Sequence, residues 1–347
     1  MGRDVARVLD SFPGLGGAGL AGCLVAGLAH RAYATFRSSR PHRGYEERRV
    51  RCASGNILSY HVRAGRPGGA TVVLDAGLMN TSTAWRLVAD HLDPAVGVVL
   101  YDRAGYRASL RRATEDYSLQ ESVNDLADVV RAAVPEDSAC VLAGHSLGGY
   151  LAHRAAAALG DRVGGVVLVD PMHPLELTTS RAQREGSRGT NFTLKLGPGS
   201  VAFGSGLLLD KNGLFAFAEG NPHLQELRLE LSALSTWRTA RREWEYSYAF
   251  MLDGGRPLDR LDAPVWVVAA EVTLERIPEH GELYEDYLSS GPGGHLVTVE
   301  GASHLSLTGG VDHAPFVADV LQRVAAEVTS HPGGGAAHPS EQVEVDA

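Results

Sequence analysis

Short apolar runs alternate with helix-like amphipathic patterns over most of this chain. Six of these runs are rich in Val and Leu, and they occupy residues 71–74, 96–100, 139–143, 163–169, 265–270 and 295–299. Continuous apolar strands separated by helices are typical of a parallel sheet that is covered on both faces. Before them, residues 47–52 and 57–62 flank a Ser-Gly-Asn turn and predict a β-hairpin. The pattern therefore predicts an α/β fold with a mostly parallel sheet of about eight strands.

The alternation stops between residues 174 and 256, which predicts an insertion between two strands. A polar, Gly-rich section at 178–206 is followed by one or two helices over 227–251. Because the insertion leaves the carboxyl edge of the sheet, we expect it to act as a lid. The aromatic residues Trp237, Trp244 and Tyr248 recur at roughly helical spacing and are interpreted as packing rather than substrate contacts.

The predicted organisation has a leader at 1–44, a core split into 45–173 and 257–329, the insertion at 174–256, and a tail at 330–347. The tail is rich in Gly and Pro and is predicted to be disordered. In the leader, residues 13–29 are apolar and have arginines on both sides. This segment could be a membrane span or anchor, a signal peptide, or a soluble helix. If it spans a membrane, the positive charge that follows it favours a cytoplasmic catalytic domain.

Composition narrows the class of protein. The 347 residues are 44% hydrophobic and 21% charged, as in globular proteins. The net charge of −9 argues against nucleic acid as a partner. Three cysteines give no disulfide framework, and no metal-ligand motif stands out. The sequence implies neither a cofactor nor a metal, and it leaves the oligomeric state open.

The most informative motif is Gly144-His145-Ser146-Leu147-Gly148, between an apolar strand and an Ala-rich helix. A G-x-S-x-G at such a junction is a nucleophile elbow, in which a strained turn presents the serine hydroxyl. Glycines on either side allow the close approach of neighbouring backbone. Ser146 is therefore the candidate nucleophile, and the N–H of Leu147 is a candidate donor to an oxyanion.

A serine needs a base to take its proton, and a histidine on a loop near the elbow would serve. His304 fits best, because it ends a Gly-containing loop after the last apolar strand. The histidines with less suitable positions are His145, His173, His280, His295 and His313. A second oxyanion donor should come from the loop after the third strand, with the N–H of Leu78 favoured and that of Met79 next.

The chain resembles the α/β-hydrolase superfamily, in particular its serine hydrolases with a lid, over roughly residues 46–328. The resemblance rests on Ala76-Gly77 with Trp85, on the segment 101–106 (Tyr-Asp-Arg-Ala-Gly-Tyr), on the elbow, on Asp170-Pro171 after the sixth strand, and on Gly301-Ala-Ser-His304. Asp102 and Arg103 are expected to hold neighbouring loops together rather than to take part in chemistry.

Three positions depart from the family pattern. Ala76 stands where a histidine usually begins the oxyanion loop, and Arg107 replaces a second glycine, which could alter the wall of the site. Thr273 stands about where the triad acid is usually found after the seventh strand. The candidate acids are therefore Asp170, which some family members use, and then Glu271 and Glu275. Asp170 could instead be a structural residue at a strand end.

The resemblance implies a serine hydrolase that acts on a small-molecule carboxylic ester through an acyl-enzyme. A serine nucleophile disfavours the branches of the fold that use aspartate, which are the epoxide hydrolases and haloalkane dehalogenases. A carbon–carbon bond hydrolase, a lactonase or a haloperoxidase-like enzyme would use the same residues. A non-catalytic homologue that binds a ligand under its lid is the alternative from another class.

Overall fold

A computed structural model of the chain describes residues 17–205 and 214–330. Eight strands form one sheet in the order β1-β2-β4-β3-β5-β6-β7-β8. The first two strands and the β2–β4 pair are antiparallel, and all other pairs are parallel. The predicted hairpin and mostly parallel sheet are confirmed. The strands are β1 (Glu46–Arg51), β2 (Ile57–Arg63), β3 (Thr71–Asp75), β4 (Gly97–Tyr101), β5 (Cys140–His145), β6 (Val163–Val169), β7 (Val265–Ala270) and β8 (His295–Val299).

Twelve α-helices and three short 3₁₀ segments (Ser82–Trp85, Gly160–Arg162 and Ala216–Ala218) lie within the described residues. The helices are α1 (Gly17–Ser38), α2 (Arg86–His91), α3 (Leu119–Ala133), α4 (Leu147–Leu159), α5 (Glu176–Thr179), α6 (Arg181–Ala202), α7 (Leu224–Leu231), α8 (Leu234–Leu252), α9 (Glu271–Arg276), α10 (His280–Leu288), α11 (Ser306–Gly309) and α12 (Ala314–Ser330).

The sheet has a hydrophobic core on each face, as its continuous apolar strands require. On one face, strand residues pack with α3, α4 and α10, where Leu126, Leu151 and Tyr287 are buried. On the other face, α2 and α12 supply Val88 and Leu321. Because both faces of the sheet are covered, we expect a functional site at the edge where the parallel strands end.

The insertion is more helical than the sequence predicts. The section 178–206, which the sequence marks only as polar and Gly-rich, forms α6 over most of its length. The Ser180 side chain caps the N-terminus of this helix by accepting from the Gln183 N–H. Gly197 is needed inside this helix, because a Cβ there would collide with the Trp237 ring of α8. Glycine thus serves close packing between α6 and α8 rather than breaking the helix.

The leader contributes α1, which packs mainly against α7. Arg31 donates to the carbonyl oxygen of Ala202 over 2.6 Å, and a Cβ on Gly27 would lie only 2.8 Å from the Cα of Gly204. Among the helices of 17–205 and 214–330, none combines the length and apolarity needed to cross a bilayer. Part of the predicted apolar segment 13–29, and the predicted tail from residue 331, lie outside the described residues.

Candidate functional site

The elbow joins β5 to α4 through Ser146, whose φ of 54° and ψ of −122° are strained for a residue with a side chain. The two motif glycines are required by contact. A Cβ on Gly144 would collide with the Gly148 carbonyl, and one on Gly148 would lie 2.5 Å from the carbonyl oxygens of Asp75 and Ala76. The elbow is therefore closely packed against the end of β3, which holds the serine in place.

The two residues predicted to supply oxyanion donors, Leu147 and Leu78, line the same cavity as Ser146. Leu147 is the first residue of α4, so its N–H has no acceptor within the helix. Leu78 lies on the loop after β3 and lines the same cavity as Ser146. The alternative donor, the Met79 N–H, already donates to the Tyr106 hydroxyl over 3.1 Å. Because the Met79 N–H is engaged, Leu78 stays the favoured second donor.

Asp170 lies at the end of β6 with a φ of 44°, and its Oδ2 is 2.6 Å from Nδ1 of His304. The carboxylate also accepts from the Ala270 N–H at 3.1 Å, the Tyr284 hydroxyl at 2.8 Å and the Thr273 hydroxyl at 2.7 Å. Burial alone would raise the pKa of this carboxyl, but the hydrogen bond and charge of His304, with the other donors, lower it below its ordinary value. Asp170 is therefore an anion in the folded protein.

The His304 imidazole is partly open to solvent while its partner carboxylate is buried. Burial lowers the pKa of His304, but the hydrogen bond and charge of Asp170 outweigh it, so that the pKa is raised above its ordinary value. Because Nδ1 faces an ionised carboxylate, it carries the proton. Nε2 is therefore the nitrogen that can accept a proton from another group.

The two alternative acids lie elsewhere. Glu271 accepts from the Gly301 N–H over 2.8 Å, and Glu275 is exposed on α9. Thr273, at the position where the family pattern led us to expect an acid, donates to Asp170. The structure thus brings Asp170, and not either glutamate, to His304.

His145, inside the elbow, supports the His304 loop. Its Nε2 lies 2.8 Å from the His304 carbonyl oxygen, and the two rings are 4.5 Å apart. Burial, with the nearby His304 charge, lowers the pKa of His145 to about 3. It is therefore neutral, and Nε2 must carry its proton, because a carbonyl oxygen only accepts.

A buried arginine holds the oxyanion loop. Arg103 donates to the carbonyl oxygen of Ala76 and to that of Gly77, the latter at 2.9 Å. Its guanidinium also pairs with Asp75 at 2.6 Å and with Glu243 of α8 at 2.8 Å. The loop that presents Leu78 is thereby tied both to the sheet and to the insertion, which agrees with the expected loop-holding role of Arg103.

Arg107 does not form a wall of the site, contrary to the prediction. It has a φ of 45°, a conformation in which glycine is far less strained, which explains the usual glycine at this position. Its guanidinium pairs with Glu230 of α7 and with Asp102, the latter at 3.1 Å, and donates to the Arg40 carbonyl oxygen at 2.6 Å. The arginine thus connects the core to the insertion and the leader.

Ser146, His304, Asp170, Leu78 and Leu147 all line one cavity of about 780 Å³. The insertion contributes to its lining with residues of α5, α6 and α8, among them Glu176, Gln183, Ser187, Thr190, Leu194 and Trp244. Trp244 also stacks on Tyr248, with ring centroids 5.2 Å apart, whereas Trp237 is buried in packing.

Glu176 is a buried carboxyl on this wall that the sequence analysis missed. Burial raises its pKa to about 7, against weaker lowering by the His173 N–H and Gln183. It lies within the insertion, outside any motif, so no local signal marked it. Its proximity to His304 follows only from the packing of α5 over the elbow.

Comparison with known proteins agrees with this fold. Residues 72–320 match the model of the alpha/beta hydrolase family. Over 126 residues, the chain is 28% identical to epoxide hydrolase 3 of Xenopus tropicalis. This alignment covers 36% of this chain and 34% of that protein. Over 121 residues it is 32% identical to lipase LipV of Mycobacterium tuberculosis, and this alignment covers 35% of this chain and 44% of that protein. The matches thus span less than half of these relatives.

Solved structures extend the likeness to the whole core. A candidate epoxide hydrolase from Pseudomonas aeruginosa superposes with a TM-score of 0.65 at 21% identity, covering 84% of this chain and 99% of that one. The bottromycin epimerase BotH superposes with a TM-score of 0.57 at 21% identity, covering 82% and 99%. At such identities the likeness concerns the fold alone, and these neighbours carry different activities. The family match over most of the core shows that this chain belongs to the alpha/beta hydrolase family.

Proposed function

We propose that the protein is a serine hydrolase that cleaves a carboxylic ester of a small molecule through an acyl-enzyme intermediate. The observation that carries the proposal is the 2.6 Å contact between Asp170 and His304, in the same cavity as the strained Ser146. A base that is oriented by a carboxylate and shares a cavity with a serine hydroxyl is the arrangement that activates serine.

In the proposed reaction, the Ser146 hydroxyl attacks the ester carbonyl carbon while His304 Nε2 takes its proton. The N–H groups of Leu147 and Leu78 donate to the oxyanion, and Asp170 stabilises the imidazolium. Collapse of the tetrahedral intermediate breaks the ester C–O bond, and His304 returns the proton to the departing alcohol. Water then attacks the acyl-enzyme by the same route and releases the acid and Ser146.

A serine at the elbow supports acyl transfer over epoxide opening, although epoxide hydrolases are among the relatives. One relative is named a lipase, which is consistent with the ester proposal, but that activity belongs to the relative. No separate observation favours the lactonase, carbon–carbon hydrolase or haloperoxidase-like alternatives. Ester hydrolysis is the simplest reaction that uses all five site residues.

Labelling with a fluorophosphonate probe tests this proposal. We expect the wild type to be labelled and Ser146→Ala to be unlabelled. Ser187→Ala provides a matched control and should be labelled as the wild type is, because Ser187 lies in the same cavity but its hydroxyl donates to the Arg184 carbonyl oxygen. The proposal would be rejected if the folded wild type stays unlabelled. It would also be rejected if Ser146→Ala is labelled as strongly as the wild type. A series of p-nitrophenyl esters then measures the acyl length that the cavity accepts.

A further inference from the structure

The leader helix turns apolar side chains toward solvent. On α1, the residues packed against the protein are spaced along one side and include Gly27, Ala34 and Ser38. At 100° per residue, the opposite side of the helix carries exposed apolar residues. These are Val25, Leu28, Tyr33 and Phe36. A soluble helix normally places polar residues there, so this face is unusual.

The long helix of the insertion, α6, also exposes apolar side chains on the side that faces away from the protein. On α6, Ser187, Leu194 and Val201 are buried, and Ser187 and Leu194 line the cavity. The opposite side carries Phe192, which is 67% exposed, and Leu196. Phe203, immediately after the helix, is 74% exposed. The exposed apolar residues of both segments form what we name the outer stripe: Val25, Leu28, Tyr33, Phe36, Phe192, Leu196 and Phe203.

The two segments that carry the outer stripe are in contact. Gly27 of α1 approaches the backbone of Gly204 closely, so Leu28 and Phe203, their chain neighbours, lie at the crossing. The two segments that carry the stripe are rich in arginine and lysine. Residues 17–45 contain four arginines and no acidic residue, and residues 181–203 contain four basic residues and one acidic residue. Both segments are cationic in a chain whose net charge is −9.

We propose that the outer stripe docks the protein on the surface of a membrane that contains anionic lipid. Apolar side chains can enter the boundary between headgroups and acyl chains, while arginine and lysine pair with the phosphates. Charge favours this occupant over a second copy, since two stripes placed face to face would bring their basic residues together. Docking of this kind lies in the plane of the membrane and needs no spanning helix.

Co-sedimentation of the full chain with vesicles tests the proposal. The probes are vesicles of phosphatidylcholine alone and of phosphatidylcholine with phosphatidylglycerol, at low and high salt. We expect binding to the anionic vesicles that weakens with salt. The triple variant Phe36→Ser, Phe192→Ser and Phe203→Ser should bind at least about tenfold less, and its exposed positions leave the fold intact. Phe316→Ser, a partly exposed phenylalanine on α12, is the matched control and should bind as the wild type does.

A second pair of variants separates charge from apolar contact. Arg37→Gln with Arg188→Gln removes one exposed charge from each helix and should weaken binding about 30-fold, whereas Arg66→Gln with Arg131→Gln should leave it unchanged. Sedimentation velocity without lipid is run in parallel. The proposal would be overturned if the wild type does not bind vesicles, or if the phenylalanine variant binds them as well as the wild type. It would also be overturned if the protein self-associates through the stripe and does not bind lipid.

Discussion

Thr273 and His304 share one oxygen of Asp170. The threonine hydroxyl and the imidazole Nδ1 lie 2.7 Å and 2.6 Å from the same Oδ2. Thr273 approaches from α9, the helix after β7, and His304 approaches from the loop after β8. The residue at the usual acid position therefore helps to hold an acid that arrives from the neighbouring strand. This arrangement makes the identity of the acid testable.

Replacing Asp170 by Asn should lower kcat for an activated ester by about 10⁴-fold, because the imidazole loses both its orientation and the charge that stabilises its protonated form. The measurement is steady-state hydrolysis of a p-nitrophenyl ester. Glu271→Gln, which removes a carboxylate that contacts only Gly301 in the described contacts, is the control and should change kcat little. Comparable losses in the two variants would contradict the assignment.

The pH dependence of kcat/KM should show an acidic limb set by His304. The reaction needs neutral imidazole at Nε2, and Asp170 raises the pKa of His304 above its ordinary 6.5. Activity should therefore rise with pH through a midpoint above 6.5. In Asp170→Asn, burial is no longer opposed by an anion, so the midpoint of the residual activity should move to lower pH. A midpoint that does not move would argue against this coupling.

Glu176 should make stability fall as pH rises. Burial raises its pKa from 4.5 to about 7, so between these values the folded state keeps a proton that the unfolded state releases. The wild type should lose up to ~3 kcal/mol of unfolding free energy from this group as pH rises through that window. Glu176→Gln should remove the loss and gain stability relative to wild type at pH 8 but not at pH 4.

Chemical denaturation at a series of pH values measures this effect. Glu275→Gln, at an exposed glutamate on α9, serves as the control and should follow the wild type at each pH. If Glu176→Gln parallels the wild type throughout, the buried carboxyl does not titrate as its surroundings imply.

Arg103→Gln should destabilise the protein by about 3–5 kcal/mol, because it leaves two buried carboxylates, Asp75 and Glu243, without their partner. The exposed pair of Arg48 with Glu46 offers a comparison, and Arg48→Gln should cost less than about 1 kcal/mol. Urea denaturation of the two variants measures the difference. Similar small losses would mean that the Arg103 network does not anchor the loop after β3.

Much of the sheet could be predicted, because each central strand is an uninterrupted apolar run whose burial on both faces leaves one interpretation. The elbow could be predicted as well, because the G-x-S-x-G motif is a local signal, although the contact that requires Gly148 is with Asp75 and Ala76 at the end of β3. The choice among Asp170, Glu271 and Glu275 could not be made from the chain, because it depends on which carboxylate reaches across two strands to His304.

The helix α6 was missed for a related reason. Its glycines suggest an irregular segment, and only the Trp237 ring of another helix explains why Gly197 stands in it. Glu176 and the pairing of Arg107 with Glu230 are likewise long-range contacts with no local pattern. These features of the insertion therefore depend on tertiary packing, which local sequence patterns do not reveal.

The contorted backbone at Arg107 has a consequence for how this chain can change. Glycine there would relax the main chain, yet it would leave Glu230 buried without its counter-ion. Neutralising Glu230 alone would leave the buried Arg107 with one of its two paired carboxylates, Asp102. Each single exchange is harmful although the double exchange need not be. The two positions are epistatic, and we expect related sequences to carry either both charges or neither.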